Sequence, residues 1–492
     1  CGRALVLAKL VLAPLRAAGK RLVALESQTP LADFDVIAFS VSFEWDYTNV
    51  LTMLRLAGLP VRAADRTYTG PLVVIGGAVT FVNPEPLAPF ADVIAAGEGE
   101  ALVPGLLDAF GTSSRSEQLK RLAQARGYYI PSFYDVAYAA DGTIAAFVPR
   151  EGTGAPPIVK KAALQTTEAV DPPSTTIFTP DTEFGSRFLV EVVRGCANLC
   201  RFCWAGYNYL PVRAFPTNRI LELAQAARAH SSRAGLVSIA LCDHPDIEHI
   251  LRSLKDMGYS ISPASLRLDD LTPTIVSLLR DSGERTLTIA PETGSDRLRR
   301  VINKTFTNEE ILEKAELIFS QGIESLKLYY MIGLPTEEDA DLVAIRDLTM
   351  QLHEIMLKHA RGRGRIGRIV ASVNPLVPKP GTAYQWLPME RADDIERKMK
   401  RMRTLVAGID NVYFNIKSER HSYYQALLSL GDRRIAPAIE LAEANGGQWR
   451  KAVADAGIDG DFYIYRDRSN DAVLPWNIID GGMKEPFFRA EF

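Results

Sequence analysis

Short apolar runs alternate with segments of helical periodicity along most of the chain, a pattern typical of parallel strands joined by crossover helices. At the start of the chain, the strand-like runs are Val36–Val41, Leu72–Ile75 and Asp92–Ala96. Helical periodicity covers Tyr47–Ala57 and returns at Ser116–Ala125, near the end of this region. We therefore expect residues 1–128 to form a Rossmann-like α/β domain.

The next segment, residues 129–182, predicts a hairpin followed by a linker. Two strand-like runs, 133–138 and 144–148, flank the turn sequence Ala-Asp-Gly-Thr at 140–143, which is a good hairpin signal. Residues 151–181 are rich in Pro, Thr and Gly and are typical of a linker.

Residues 183–408 contain six strand–helix pairs. The predicted strands are Phe188–Val193, Leu236–Leu241, Ser260–Leu266, Leu287–Ala290, Ser325–Met331 and Ile369–Val373. The predicted helices are Asn218–His230, Ile247–Met257, Pro273–Asp281, Ser295–Ile302 with Asn308–Ser320, Asp339–His359, and Ala392–Ala407. Repeated βα units predict a parallel sheet that curls into a partial barrel, although periodicity alone does not separate this fold from a doubly wound sheet.

The pattern changes in residues 409–492, which we expect to form a small α+β carboxyl-terminal extension. A strand-like run covers 411–416, and a helical segment follows near Ser422–Leu430. This extension is either a lid over the barrel mouth, shaping a substrate pocket, or a packing element.

Composition limits the function classes. The 492 residues are 47% hydrophobic and 23% charged, as in ordinary globular proteins. A net charge of −3 gives no electrostatic footprint for DNA, and the basic run 397–401 is either a solvated helix face or an RNA contact. No apolar run reaches membrane-spanning length, so we expect no membrane partner. Five Cys, three of them clustered, favour a reducing compartment and a cytoplasmic protein.

The cluster of thiols is the strongest chemical signal. Cys196, Cys200 and Cys203 follow the first strand of the predicted barrel with the spacing Cys-x3-Cys-x2-Cys. Clustered thiolates suit a soft metal centre, and three of them would leave one iron of a 4Fe-4S cluster open for a ligand. Zinc is the competing metal, but zinc sites usually pair two ligand clusters, and the remaining thiols are the isolated Cys1 and Cys242.

Together with the aromatic Phe202, these three Cys resemble the signature of the radical S-adenosylmethionine superfamily. The resemblance implies a 4Fe-4S cluster and S-adenosylmethionine as cofactors, and reductive cleavage to a 5′-deoxyadenosyl radical. It also implies a six-unit partial barrel and an external one-electron reductant such as flavodoxin or ferredoxin.

Polar residues at other strand ends are candidates for binding S-adenosylmethionine. Arg267 can pair with its carboxylate, Glu292 can accept from its amine or ribose, and Gly333 allows close backbone approach to its adenine. Ser295 belongs to the 290–295 segment, which resembles the superfamily's counterpart. The structural alternatives are a surface ion pair of Arg267 with Asp269 or Asp270, and a helix amino-terminal charge role for Glu292.

Four further residues near strand ends have weaker signals. Cys242 is expected to be a buried structural thiol, and Tyr329 and Tyr330 are expected in the barrel core. His244 is either a substrate contact or a structural loop residue.

The first domain resembles the cobalamin-binding domain that precedes many radical S-adenosylmethionine enzymes. The resemblance makes Ser40, Gly76, Gly77 and Gly97 candidate cobalamin contacts, at the sheet edge where open α/β folds bind ligands. The first His is His230, so any cobalamin here would lack a protein imidazole ligand. A ligand-free Rossmann-like shell is the alternative.

The resemblance favours cobalamin-dependent methyl transfer to an unactivated carbon of a small molecule, peptide or RNA. One alternative is a cobalamin-independent radical modification, such as tRNA methylthiolation, which usually requires a second cluster. The other is a non-catalytic iron–sulfur or cobalamin sensor.

Overall fold

The fold was analysed in a computed structural model that describes residues 19–67, 69–110, 114–182, 184–263, 266–362 and 364–492. The chain divides into two compact units. The first unit comprises the described residues up to Leu164 together with Pro378–Pro388 and Tyr423–Phe492. The second comprises Gln165–Val377 and Met389–Ser422.

A four-stranded sheet organises the first unit. Its strands, in spatial order, are β1 (Val36–Ser40), β2 (Leu72–Gly76), β3 (Val93–Ala95) and β4 (Tyr128–Tyr129). The first three are parallel and β4 is antiparallel to β3. The α-helices of this unit are Tyr47–Ala57, Gly99–Ala109, Arg115–Gln124, Ala436–Ala444, Trp449–Asp455, Gly460–Ile464 and Glu485–Glu491. The expected Rossmann-like α/β arrangement is confirmed.

The region expected to be a hairpin and linker is more ordered than its composition suggested. Strands β5 (Tyr134–Tyr138) and β6 (Ile144–Pro149) form the predicted antiparallel hairpin. The predicted linker, however, contains strand β7 (Val159–Lys160), which pairs in parallel with Ile479–Asp480. Two-residue pairing between distant segments leaves no local sequence signal, so this part of the linker prediction was wrong.

The second unit contains the parallel strands of a partial barrel in two four-stranded sheets. One has the order β11 (Ser260–Pro263), β10 (Arg233–Ser238), β8 (Phe188–Arg194) and β9 (Arg213–Ala214), with only β9 antiparallel. The other has the order β12 (Thr286–Glu292), β13 (Ser325–Ile332), β14 (Ile369–Pro375) and β15 (Val412–Ile416), all parallel. Each of the six predicted barrel strands overlaps an observed strand, but the strand predicted at Leu236–Leu241 lies at Arg233–Ser238. Residues 264 and 265 of the strand predicted at Ser260–Leu266 lie outside the described residues.

Helices cover one face of these sheets and bury a large apolar core. They are Thr217–Ala227, Ile247–Asp256, Pro273–Asp281, Asn308–Ser320, Asp339–Ala360 and Ala392–Leu405. Two further short helices, Trp204–Asn208 and Asp296–Val301, follow β8 and β12. A last helix, Glu419–Leu430, crosses from the second unit into the first. Alternate strand residues face the helices, as Tyr330 does where its hydroxyl lies 3.1 Å from that of Thr349.

The structure divides the chain differently from the predicted boundaries. The run expected to begin the carboxyl-terminal extension is β15, which pairs with β14 as a seventh parallel strand. The remainder of that extension, from Tyr423, belongs to the first unit. Among the described residues, no helix combines the length and apolarity needed to cross a bilayer. The cytoplasmic location stays a prediction.

Candidate active site

The three clustered thiols lie on the loop that follows β8. Cys196 is buried, and Cys200 and Cys203 are half-buried. The loop begins at Gly195, whose φ is +97° and where a Cβ would lie 2.5 Å from the carbonyl oxygen of Tyr209, so the turn requires glycine. A turn inside the loop is closed by the Cys203 N–H, which donates to the Cys200 carbonyl at 2.8 Å. The loop therefore has a defined conformation that gathers the thiols.

The segment after the Asp296–Val301 helix anchors this loop from the outside. The backbone N–H of Arg201 donates to the Ile302 carbonyl at 3.0 Å, and its guanidinium donates to the Val301 carbonyl at 2.9 Å. The side-chain amide of Asn303 donates to the Leu199 carbonyl at 3.1 Å. These contacts place the thiols beside the segment that follows β12.

The electrostatic surroundings of the thiols are those of a buried, crowded site. Burial raises the pKa of the Cys200 thiol to about 12, and the nearby Lys304 ammonium opposes this rise. Burial likewise raises the pKa of Cys203, against hydrogen bonds from backbone N–H groups of residues 205 and 206. The neighbouring thiols and the Glu292 carboxylate raise both pKa values further. A multivalent metal centre would hold such thiols as thiolates.

The donor set of three thiols on one loop fits a 4Fe-4S cluster. Thiolates of a cubane cluster bind separate irons and need not converge on one point. The described thiols at this loop are all free of disulfide bonds, and sulfur is the ligand that iron–sulfur clusters use.

Glu292 lies at the end of β12 in a strained backbone conformation and close to the thiols. Its φ is +64°, a left-handed conformation that non-glycine residues rarely adopt outside functional sites. The Lys304 ammonium lies 2.8 Å from Glu292 Oε1 and donates to the Ala290 carbonyl at 2.6 Å. Sequence reasoning missed Lys304, because a single loop Lys has no characteristic spacing; Asn303 was missed for the same reason.

Arg267 lies at the Cys loop, but its guanidinium is occupied by carboxylates. It lies 2.8 Å from Asp270, 3.1 Å from Asp243 and 3.5 Å from Asp269. The same group is 3.4 Å from the side-chain oxygen of Asn198, within the Cys loop. The ion pairing considered as the alternative is therefore present, and the binding of S-adenosylmethionine by Arg267 stays a prediction.

The other predicted contacts have local structural roles. The Ser295 hydroxyl accepts from the Leu298 N–H at 3.3 Å, as a helix cap. Gly333 has a φ of +77°, and its N–H donates to Glu337 at 3.0 Å. Phe202 is half-buried in the Cys loop. Their contacts with a cofactor stay predictions.

The residues with weaker signals also have structural explanations. His244 is buried, and its Nε2 lies 2.8 Å from the Phe215 carbonyl, as a structural loop residue. Cys242 is half-buried, with Sγ 3.7 Å from the Asp270 carbonyl. Tyr330 is fully buried as expected, but Tyr329 is 41% exposed, so its assignment to the core was wrong. The alternation of β13 places Tyr329 on the face opposite the helices.

The candidate cobalamin edge of the first unit fits that cofactor only in part. Ser40 is exposed at the end of β1, and a Cβ at Gly76 would make only ordinary contacts, at 3.6 Å. A Cβ at Gly77 would lie 2.5 Å from the Val41 backbone. A Cβ at Gly97 would collide with the carbonyl of residue 162. Gly77 and Gly97 are therefore explained by the chain's own packing, and contacts of Ser40 and Gly76 with a ligand stay predictions.

Two family models match the chain. The model described as the radical SAM superfamily matches residues 190–349, and the one described as the amino-terminal region of radical SAM proteins matches residues 1–131. The first match contains the three clustered thiols and β12 with Glu292. The chain belongs to the radical SAM superfamily, where SAM denotes S-adenosylmethionine.

Similar proteins include one that matches over most of both chains and one that matches over about half. The uncharacterized protein MJ0966 of Methanocaldococcus jannaschii is 27% identical over 421 residues, covering 85% of this chain and 83% of that protein. A tRNA-2-methylthio-N(6)-dimethylallyladenosine synthase of Chloroherpeton thalassium is 25% identical over 236 residues, covering 45% of this chain and 49% of that enzyme.

Solved structures with similarity include two cobalamin-bound proteins. The radical S-adenosylmethionine methyltransferase TsrM of Kitasatospora setae, solved with cobalamin and a [4Fe-4S] cluster, is 13% identical with a TM-score of 0.49, covering 79% of this chain and 67% of TsrM. The cobalamin-dependent radical enzyme OxsB is 17% identical with a TM-score of 0.46, covering 67% of this chain and 47% of OxsB. This chain thus spans about half the length of OxsB.

Proposed function

We propose that this protein is an enzyme that cleaves S-adenosylmethionine reductively at a 4Fe-4S cluster held by Cys196, Cys200 and Cys203. The observation that carries the proposal is the common location of the three thiols and the Glu292–Lys304 pair at one end of the barrel strands. Superfamily membership supports the same reaction. The electron comes from an external reductant of the flavodoxin or ferredoxin type.

The chain's own residues have distinct roles in this proposal. Cys196, Cys200 and Cys203 would hold the cluster through their thiolates, and the bound cluster would supply the electron that cleaves the carbon–sulfur bond of S-adenosylmethionine. Lys304 orients the Glu292 carboxylate and places a positive charge beside it, which suits a ligand carrying both an ammonium and a carboxylate. Burial of the loop excludes water from the thiols.

The finer proposal is that the reaction transfers a methyl group from cobalamin to an unactivated carbon of an organic substrate. The motifs of the first domain support it, as does the exposed end of β1 at Ser40. Cobalamin content decides between this reaction and one without cobalamin. Protein produced with cobalamin uptake should retain stoichiometric cobalamin, and protein that contains the cluster alone would overturn methyl transfer by this route.

The partial relative from Chloroherpeton thalassium raises the alternative of tRNA methylthiolation. This sequence, however, contains no second group of clustered Cys. Beyond the three clustered thiols, this sequence contains only Cys1 and Cys242, far apart in the chain. Two clusters of this kind would need a second group of thiolates. The sequence therefore favours the single-cluster reaction.

Formation of 5′-deoxyadenosine tests the main proposal. Reconstituted protein should release it from S-adenosylmethionine under strong reductant, and the variant with all three clustered Cys replaced by Ala should not. Cys242→Ala is the matched control, because its thiol is not part of the cluster motif, and it should retain cleavage. Cleavage by the triple variant would refute the assignment, and a wild-type cluster inert to S-adenosylmethionine would instead indicate a sensor.

A further inference from the structure

The face of the β12–β15 sheet opposite its helices is the inner face of the partial barrel, and it exposes several side chains; we call it the open face. Along β13, Leu326, Leu328 and Tyr330 are fully buried, whereas Lys327 and Tyr329 between them are exposed. The inner face of a barrel of this type is normally filled by packed side chains. An exposed Lys in the middle of a strand on this face therefore calls for an explanation.

The strand register brings polar and aromatic side chains together on this open face. Two adjacent rows cross it, one formed by Thr288, Lys327, Val370 and Tyr413 and the next by Tyr329, Ser372 and Asn415. Neighbouring strands are about 4.8 Å apart, and rows on one face are separated by two residues, about 6.6 Å. Tyr413 is 55% exposed and Tyr329 is 41% exposed. The ammonium and the two phenols thus share one patch.

The patch carries a positive charge that the fold does not neutralise. Lys327 has no hydrogen bond or ion pair with any residue that the structure describes. The acidic residue at the end of β12, Glu292, is already paired with Lys304 at 2.8 Å. Among the described residues Lys327 is therefore an unpaired cation, which is complementary to an anion.

A second unsatisfied group lies in the next row of the same face. Asn374 is opposite Met331, and its amide oxygen is buried without a hydrogen-bond partner in the described part of the chain. Buried polar atoms are nearly always hydrogen-bonded in folded proteins. This oxygen therefore calls for a donor, an N–H or O–H, on whatever occupies the face.

We propose that the open face binds the enzyme's substrate, and that this substrate is a low-molecular-weight organic anion with a flat ring and a hydrogen-bond donor. Lys327 pairs with the anionic group, Tyr329 and Tyr413 contact the ring, and Asn374 accepts from the donor. That the bound molecule is the substrate rests on the proposed function. That the face prefers an anion rests only on the residues of the open face.

Two fluorescent probes that differ only in charge test this preference on the full chain. 8-Anilinonaphthalene-1-sulfonate is anionic, and N-phenyl-1-naphthylamine has the same rings without the sulfonate. Lys327→Met should weaken sulfonate binding about five- to tenfold and leave the neutral probe unchanged, whereas Lys327→Arg should retain both. Tyr329→Ala should weaken both probes. Lys358→Met, which removes a 67% exposed lysine on a helix, is the control and should change neither.

Several results would overturn the inference. Unchanged binding of the sulfonate by Lys327→Met would overturn it. Equal weakening of both probes would also overturn it, because it would indicate a structural role for Lys327. If Lys327→Met does not fold, the ionic-strength dependence of wild-type binding provides the test. Binding of the sulfonate, but not of the neutral probe, must weaken as ionic strength rises, and salt-independent binding of the sulfonate contradicts the proposal. Displacement of the sulfonate by benzoate or by phenyl phosphate supports it and identifies the anion, and displacement by neither contradicts it.

Failure of the substrate-class inference can be distinguished from failure of the proposed reaction. Wild-type cleavage of S-adenosylmethionine combined with Lys327-independent probe binding overturns the substrate class alone. Absence of cleavage combined with Lys327-dependent binding overturns the proposed reaction alone.

Discussion

A buried charge network in the first unit offers a quantitative test of how that unit is held together. Arg433 lies 2.7 and 3.0 Å from the two carboxylate oxygens of Glu85, and Tyr129 donates to Glu85 at 2.7 Å. The Glu85 side chain is fully buried. Replacing Arg433 with Met leaves this carboxylate buried without its cation, which costs about 3–5 kcal/mol. An exposed ion pair contributes only about 0.2–1 kcal/mol.

Calorimetric unfolding of the full chain measures this difference. Arg433→Met should lower the transition temperature of the first unit by on the order of 10 °C, since about 1 kcal/mol corresponds to 2–4 °C in a unit of this size. Arg62→Met is the matched control, because it breaks an Arg–Glu pair in which Arg62 is 39% exposed, and its effect should be small. Adding Glu85→Gln to Arg433→Met should recover part of the loss. Equal effects of Arg433→Met and Arg62→Met would refute the reasoning.

Two further predictions concern other ion pairs. Burial alone would raise the pKa of Glu44, but Lys379 and a nearby hydroxyl bring it below the usual 4.5. The pair therefore stabilises the fold fully above pH 4.5 and loses this contribution as the pH falls through the lower folded-state pKa. The stability lost in Lys379→Met, measured by urea unfolding followed by circular dichroism, should therefore be largest at neutral pH and smaller below that pKa; a loss that does not change with pH contradicts this. Lys304→Met should weaken S-adenosylmethionine binding about tenfold, because Glu292 loses its charged partner. Calorimetric titration measures this affinity, and Lys358→Met is the control. Equal affinities of wild type and Lys304→Met would show that Lys304 is not part of the site.

The sequence was most informative where local chemistry fixes an element. The helix Asn308–Ser320 was predicted with its observed ends, since Thr307 and Glu310 form a reciprocal capping box at its start. The helix Pro273–Asp281 was also predicted with its observed ends, because Pro at the first turn follows the capping Thr272. The alternation of strands and helices along the chain also predicted that the three thiols lie on a loop at the end of a strand.

Long-range pairing and charge partners were beyond the sequence. The run 411–416 was predicted as a strand, but so short a pattern does not specify its sheet, and residues 412–416 join the barrel. Arg267 was expected to be available for a ligand, and its three carboxylate neighbours became evident only in the fold. Gly77 and Gly97 looked like ligand-contact glycines because packing against distant backbone produces the same residue preference.

The most direct test of the central claim is the electron paramagnetic resonance spectrum of the reduced, reconstituted protein with and without S-adenosylmethionine. One 4Fe-4S signal is expected, and its shape should change when S-adenosylmethionine is added. The signal should be lost in the variant without Cys196, Cys200 and Cys203. A signal that S-adenosylmethionine leaves unchanged, or a site that takes up zinc and no iron, would contradict it.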